Sequence, residues 1–356
     1  MKENKLLFIL TGGFIGLVAV LLVKLGNPPN MGFCIACFYR DIVGALGLHR
    51  AALVQYIRPE IIGFILGSFA IATAKGEFRP RGGSAPIIRF ILGFLMMTGA
   101  LVFLGCPLRM LLRLGNGDLN ALTGLIGFVV GIWVGIQFLK NGYSLGKSTT
   151  QSLISGYFMS VLAVILLALL ITAPAFIFFT ETKGPAAFRA PILVSLVAGL
   201  IIGALAQRTR LCTAGDIRNV IIIKDPTFLL RPFGIFLFTL IGNLIFNPAS
   251  LKLGFINQPI AHNGHIWNFL GMLLVGLTAL LLGGCPLRQT IMAAEGDGDS
   301  AFTVLGMMLG AAFAHNFGFA ASPASVPLYG KVAVVSGLFF AILLGLQVIK
   351  YEKVKG

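Results

Sequence analysis

Apolar runs recur along the whole chain, at 6–25, 60–74, 88–104, 119–139, 152–179, 190–207, 230–247, 266–283, 301–319 and 332–350. A helix needs about 20 apolar residues to cross the hydrocarbon core of a bilayer, and most of these runs approach that length. One soluble core cannot hide so many of them: hydrophobic residues are 57% of the 356 and charged residues only 11%. Strands that alternate polar and apolar residues are absent, so helices rather than a β-barrel must satisfy the backbone. The run at 6–25 resembles a signal peptide but lacks a small-residue cleavage site, and is read as the first span. The expected architecture is an all-α polytopic membrane protein with about 9–10 transmembrane helices.

A net charge of +15 raises the possibility of nucleic-acid binding. The lysines and arginines are scattered between apolar runs instead of gathered on one soluble face, which argues for no nucleic acid and for a lipid bilayer as the partner. The basic segments 75–89, 140–147 and 350–355 all fall on one side of the membrane if every run crosses. That side is expected to be cytoplasmic, with both termini on it.

The chain repeats itself. CIACFYRD at 34–41 aligns with CTAGDIRN at 212–219, each opening on a cysteine with an arginine six residues later. An Arg-Pro step follows each, at Arg58-Pro59 and Arg231-Pro232, and then the pentapeptide GCPLR, at 105–109 and 284–288. Two transmembrane repeats follow from this order, 1–180 with the Cys34 and Cys106 motifs and 181–356 with the Cys212 and Cys285 motifs. Five spans per repeat, an odd number, would insert the second repeat upside down relative to the first.

Between the spans lie stretches too short and polar to cross, at 32–49, 212–224, 110–114 and 289–294. They are expected to be four short re-entrant helices. Pro107 and Pro286 suit the first position of such a helix, where the missing N–H was unpaired in any case. Cys106 and Cys285 then occupy N-caps, in the positive potential of a helix start. Arg109 and Arg288, three residues on, return to the same turn, so thiol and guanidinium are expected to face one small polar cavity.

Plainer readings compete. A membrane cysteine is commonly a small apolar filler, and an arginine near a span end commonly a snorkelling anchor, which applies most to Arg40 and Arg218. Against the first stands the placement of four of the five cysteines at repeat-equivalent positions. Cys34 and Cys37 have the spacing of a redox pair, but the second copy has Gly215 where the first has Cys37. The four histidines show no ligand spacing with the cysteines, so no metal and no cofactor is expected.

The paired Cys-x5-Arg and GCPLR motifs resemble the YeeE/YedE family of membrane proteins that carry sulfur compounds, most closely its YedE branch linked to selenium. The similarity extends over nearly the whole chain. It implies a multi-pass transporter or channel, not an enzyme, in the plasma (inner) membrane of a prokaryote. Its cargo would be a thiosulfate-like anion or a selenium compound, relayed by pore cysteines. Carried over motif by motif, the pathway cysteines are Cys34, Cys106 and Cys285, with Cys212 in the matching place; the spacing of the motifs, independently of the resemblance, adds Arg40, Arg109, Arg218 and Arg288 to the expected pathway. A cytoplasmic sulfur-carrier protein that docks and hands its cargo to a pore cysteine is an expected partner. The alternatives are a membrane thiol oxidoreductase or a sulfur- or selenium-transfer partner acting through Cys34 and Cys37.

Overall fold

A computed structural model describes residues 4–355. Most of the described residues are helical, with almost no sheet. In order, the helices are α1 (Asn4–Lys24), α2 (Ile35–Ala45), α3 (Pro59–Ala74), α4 (Pro86–Phe103), α5 (Pro107–Gly115), α6 (Asn120–Lys140), α7 (Leu153–Gly156) and α8 (Phe158–Thr172). They continue as α9 (Ile192–Arg208), α10 (Thr213–Ile223), α11 (Leu230–Phe246), α12 (His265–Leu282), α13 (Pro286–Ala294), α14 (Gly298–Asn316) and α15 (Leu328–Lys355). Two residue pairs, Arg81–Gly82 and Thr149–Thr150, form a small antiparallel ladder between two loops.

Among the described residues seven helical segments are long and apolar enough to cross a membrane, with α4 and α5, α9 and α10, and α12 and α13 each counted as one, and α3 and α8 are shorter apolar helices. The expected run at 152–179 is cut back at both ends. One turn, α7, precedes α8, and α8 stops at Thr172 because Ala173 turns left-handed, with φ 41°, ahead of Pro174. The short helices α5 and α13 are longer than the polar stretches suggested, because each already starts at its Cys-Pro step.

The two halves exchange partners. Helix α1 packs on α11 and α9 on α3; α6 packs on α12 and α14 on α4; and α4 and α12 pack on each other. The short helices follow the same rule, α5 lying on α11 and α13 on α3. Backbone hydrogen bonds in the loops repeat it again. The N–H groups of Arg79 and Arg81 donate to the carbonyls of Glu295 and Gly296, at 2.9 and 3.2 Å, after α13. Those of Lys252 and Gly254 donate to Asn116 and Gly117, at 3.1 and 3.0 Å, after α5.

Close helix approach inside lipid depends on small residues, since the hydrophobic effect gives no drive between helices there. Gly63 and Gly67 of α3 meet the backbone of α9 at Leu196 and Leu200, and Gly199 and Gly203 return the contact at Glu60 and Phe64. Gly12 and Gly16 of α1 meet α11 at Arg231 and Ile235 in the same way. A Cβ at Gly67 would collide with the Leu200 carbonyl, so Gly67→Leu is expected to separate α3 from α9 and cost at least about 1–3 kcal/mol. Thermal melting in detergent checks this against Gly76→Ala, where a Cβ meets nothing within 4 Å and the cost is confined to the positive φ of 64°.

Candidate functional site

Each of the four cysteine motifs caps a short helix. Cys34, Cys106, Cys212 and Cys285 are the N-cap residues of α2, α5, α10 and α13. Pro107 and Pro286 hold the first helical positions of α5 and α13, where the fixed φ is preorganised for the turn. The chain reaches each of those caps through a left-handed residue at the end of the preceding helix: Gly283 (φ 81°) after α12, and Leu104 (φ 63°) after α4. Glycine takes that conformation freely, whereas a leucine there stores strain of order 1–2 kcal/mol. The surroundings hold it, since the Leu104 carbonyl accepts from Nη1 of Arg109.

The cysteines pair across the motifs. Cys34 Sγ lies 3.8 Å from Cys106 Sγ, and Cys212 Sγ lies 3.9 Å from Cys285 Sγ. Each pair therefore joins one Cys-x5-Arg motif to the GCPLR motif of the same half. The Sγ of Cys34 also accepts from the backbone N–H of Cys37, at 3.4 Å, and that of Cys212 from Gly215, at 3.2 Å. All five cysteines are free and buried. Four helix starts thus converge in two pairs, each presenting positive dipole ends and thiols that donate weakly. A hydrogen bond of 3.2 Å between Tyr39 Oη and Thr290 Oγ1 ties α2 of the first half to α13 of the second.

Cys37 has no counterpart. Where the second half has the bare Gly215, the first half adds a third thiol, and Nη1 of Arg109 lies 3.4 Å from its sulfur. The guanidinium of Arg109 is fully buried and mostly serves backbone carbonyls: Nε donates to Asn30 at 3.0 Å and Nη2 to Ile260 at 3.0 Å, besides Leu104. No carboxylate pairs with it among the described residues. Arg288 differs, with Nη1 3.2 Å from Glu295 Oε1. The remaining two arginines point to neighbours on their own helices. Arg40 forks onto Asp41 Oδ1 at 2.7 and 2.9 Å, and Arg218 forks onto the side-chain oxygen of Asn219 at 2.9 and 3.1 Å.

Behind the thiols lie several buried ionic residues to which the spacing of the motifs assigns no role. Asp41 also receives Arg58 Nε, at 2.8 Å, while Arg58 Nη1 and Nη2 close on the carbonyls of Phe188 and Pro185. Asp216 receives Arg231, so the two Arg-Pro steps serve one purpose, holding the acid of the adjacent cysteine helix. They do so from different places: Arg58 precedes α3 as its N-cap, whereas Arg231 is inside the first turn of α11. Asp118 is bound by Arg113, at 2.7 Å, and not by Arg109. The signal for these residues was an acid or arginine inside an otherwise apolar stretch, which in a membrane is expensive and therefore purposeful.

Residues 208–349 match the sequence profile of a family described as sulphur transport. A 120-residue stretch is 29% identical to a protein of Spirochaeta thermophila named thiosulfate transporter TsuA, covering 34% of this chain and 35% of that protein. The alignment thus spans about a third of the relative's length.

Proposed function

We propose, starting from the membership of this multi-pass membrane protein in the sulphur transport (YeeE/YedE) family, that it carries a small sulfur-containing anion of the thiosulfate type across the bilayer. The observation that carries the reading is the pair of thiol pairs, Cys34–Cys106 and Cys212–Cys285, set at four helix starts. An anion that opens one pair meets S–H donors and positive helix ends in place of water, and the second pair offers the same terms further along. Two shallow sites in series hold the ion firmly enough to dehydrate it and loosely enough to release it. A selenium-containing anion of similar shape meets the same donors.

In this reading 1–180 and 181–356 are the two inverted repeats, and each supplies one thiol pair. Arg109 acts mainly through its charge, since most of its hydrogen bonds go to carbonyls, whereas the charge of Arg288 is balanced by Glu295. Arg40 and Arg218 shape the field from the middle of α2 and α10. The basic segments support cytoplasmic termini: Arg81 and Gly82 pair with Thr150 and Thr149, and Lys147 lines one crevice with Tyr351 of the C-terminal helix, so these segments share one face. A sulfur-carrier protein would collect the cargo on that face.

The test is uptake of radiolabelled thiosulfate into vesicles that contain the purified chain. Saturable uptake, suppressed by unlabelled thiosulfate and less by sulfate, is the expected result, and a rate equal to that of empty vesicles would refute the reading. Arg109→Gln is expected to reduce uptake several-fold more than Arg288→Gln, because only the first removes a charge without a carboxylate partner. Arg109→Lys should restore part of the loss, as a compact charge lacking the planar fork. Equal effects of the two glutamine variants would assign Arg109 to scaffolding alone.

A further inference from the structure

The fifth helix of each half breaks the exchange of partners described above. Helix α8 follows α6 and packs mainly on α3 of its own half, with lesser contacts to α13 and α14 of the other. Helix α15 follows α14 through a shorter link, 317–327 against 141–157, and lies against α4 and α12. The seat that corresponds to the one under α8 is the surface made by α11, α5 and α6. There the protein has a groove of about 600 Å³, completed by α10 and lined by side chains that include Leu111, Leu125, Ile217, Phe233 and Phe236.

Apolar lining says little by itself, because every lipid-facing surface is apolar. The contrast between corresponding positions says more. Helix packing matches Phe233 to Ile62, since the carbonyls of Arg231 and Glu60 meet Gly12 and Gly199 in the same way. Phe233 is 50% exposed and Ile62 is 0% exposed. The Asp118 and Asp297 turns match Leu122 to Ala301, which are 45% and 6% exposed. Val220 and Ile221 of α10 are half-buried, whereas Ile42 and Val43, their counterparts on α2, are fully covered. Around the seat of α8 these positions are covered, whereas the corresponding positions of the other half stand open.

We propose that the groove between α5, α6, α10 and α11 seats one transmembrane helix of a different polypeptide. Its chemistry follows from the helix in the matching seat: about 15 apolar, uncharged residues in the manner of Phe158–Thr172, running antiparallel to α8. The groove spans the bilayer, since Leu122 begins α6 at one face and Leu229 precedes α11 at the other. The inference stands apart from the identity of the transported species.

The experiment places a photoreactive benzophenone amino acid at Leu122, Leu125 or Leu229 of the full chain in the membranes of its own host, with Phe339 on the exposed side of α15 as control. The expected result is an adduct to one other polypeptide, mapped by peptide sequencing to a single apolar span. The Leu122 and Leu229 probes should label opposite ends of that span, and Phe339 should label none of it. Filling the groove with Leu125→Trp and Val129→Trp, in protein shown to remain monodisperse, should abolish the adduct from the Leu229 probe. Adducts only to lipid, adducts only to a second copy of this chain, labelling in disregard of depth, or an adduct that survives the filled groove would each overturn the proposal.

Discussion

Replacing Asp41 with asparagine is expected to lower stability by about 3–5 kcal/mol, the range for removing one partner of a buried ion pair. Asp41 is fully buried and neutralises two guanidiniums at once, Arg40 through Oδ1 and Arg58 through Oδ2. Asparagine keeps the size of the side chain and leaves both arginines without a counter-charge in low dielectric. It also loosens the end of α2, and through α2 the position of Cys34. Asp216→Asn strands only Arg231, and one of its carboxylate oxygens, Oδ2, already lacks a hydrogen-bond partner, so the smaller loss is expected there. Asp297→Asn is the control, because its pair with Arg81 is partly exposed and worth at most about 1 kcal/mol. Thermal unfolding of the three variants in one detergent checks the order. An Asp41→Asn protein that melts with the Asp297→Asn control would remove the buried network from the account.

Local chemistry made much of this fold legible in the sequence. Pro107 and Pro286 mark helix starts because of what proline lacks, whatever surrounds them, and α5 and α13 begin there. The apolar runs locate helices because the bilayer sets their length, and 152–179 is shortened most, at its C-terminal end by a left-handed residue ahead of Pro174. Long-range docking was not legible. Nothing in the spacing says that Cys34 meets Cys106, which is 72 residues away, because that contact depends on how α2 enters the break between α4 and α5. Arg113 rather than Arg109 takes Asp118, since Arg113 lies one turn nearer along the same helix. The seats of α8 and α15 were equally hidden: both helices are apolar around most of their circumference and present no stripe that selects a neighbour.

The largest functional effects are expected at the thiol pairs. Cys106→Ala removes one S–H group while leaving the Pro107 turn intact, so the protein should insert and melt nearly as before. A lost hydrogen bond of about 1 kcal/mol lowers occupancy of that site about fivefold, and Cys106→Ala with Cys285→Ala should lower uptake about 25-fold. Serine at the same positions supplies a stronger donor of similar size. Recovery of uptake in Cys106→Ser would mean that a hydrogen bond suffices, while continued loss would mean that sulfur itself is required. Full uptake in the double alanine protein would return both residues to the role of small apolar filler.

The central claim, that the anion passes between the two thiol pairs, is tested most directly by labelling the cysteines during transport. Vesicles containing the chain are treated with a small uncharged thiol reagent, and modification of each cysteine is followed by mass spectrometry with and without thiosulfate. The account predicts that thiosulfate, at the concentration that half-saturates uptake, changes the labelling rate of Cys34, Cys106, Cys212 and Cys285, and that sulfate does so less. Rapid thiosulfate uptake with unchanged labelling of all four would contradict it.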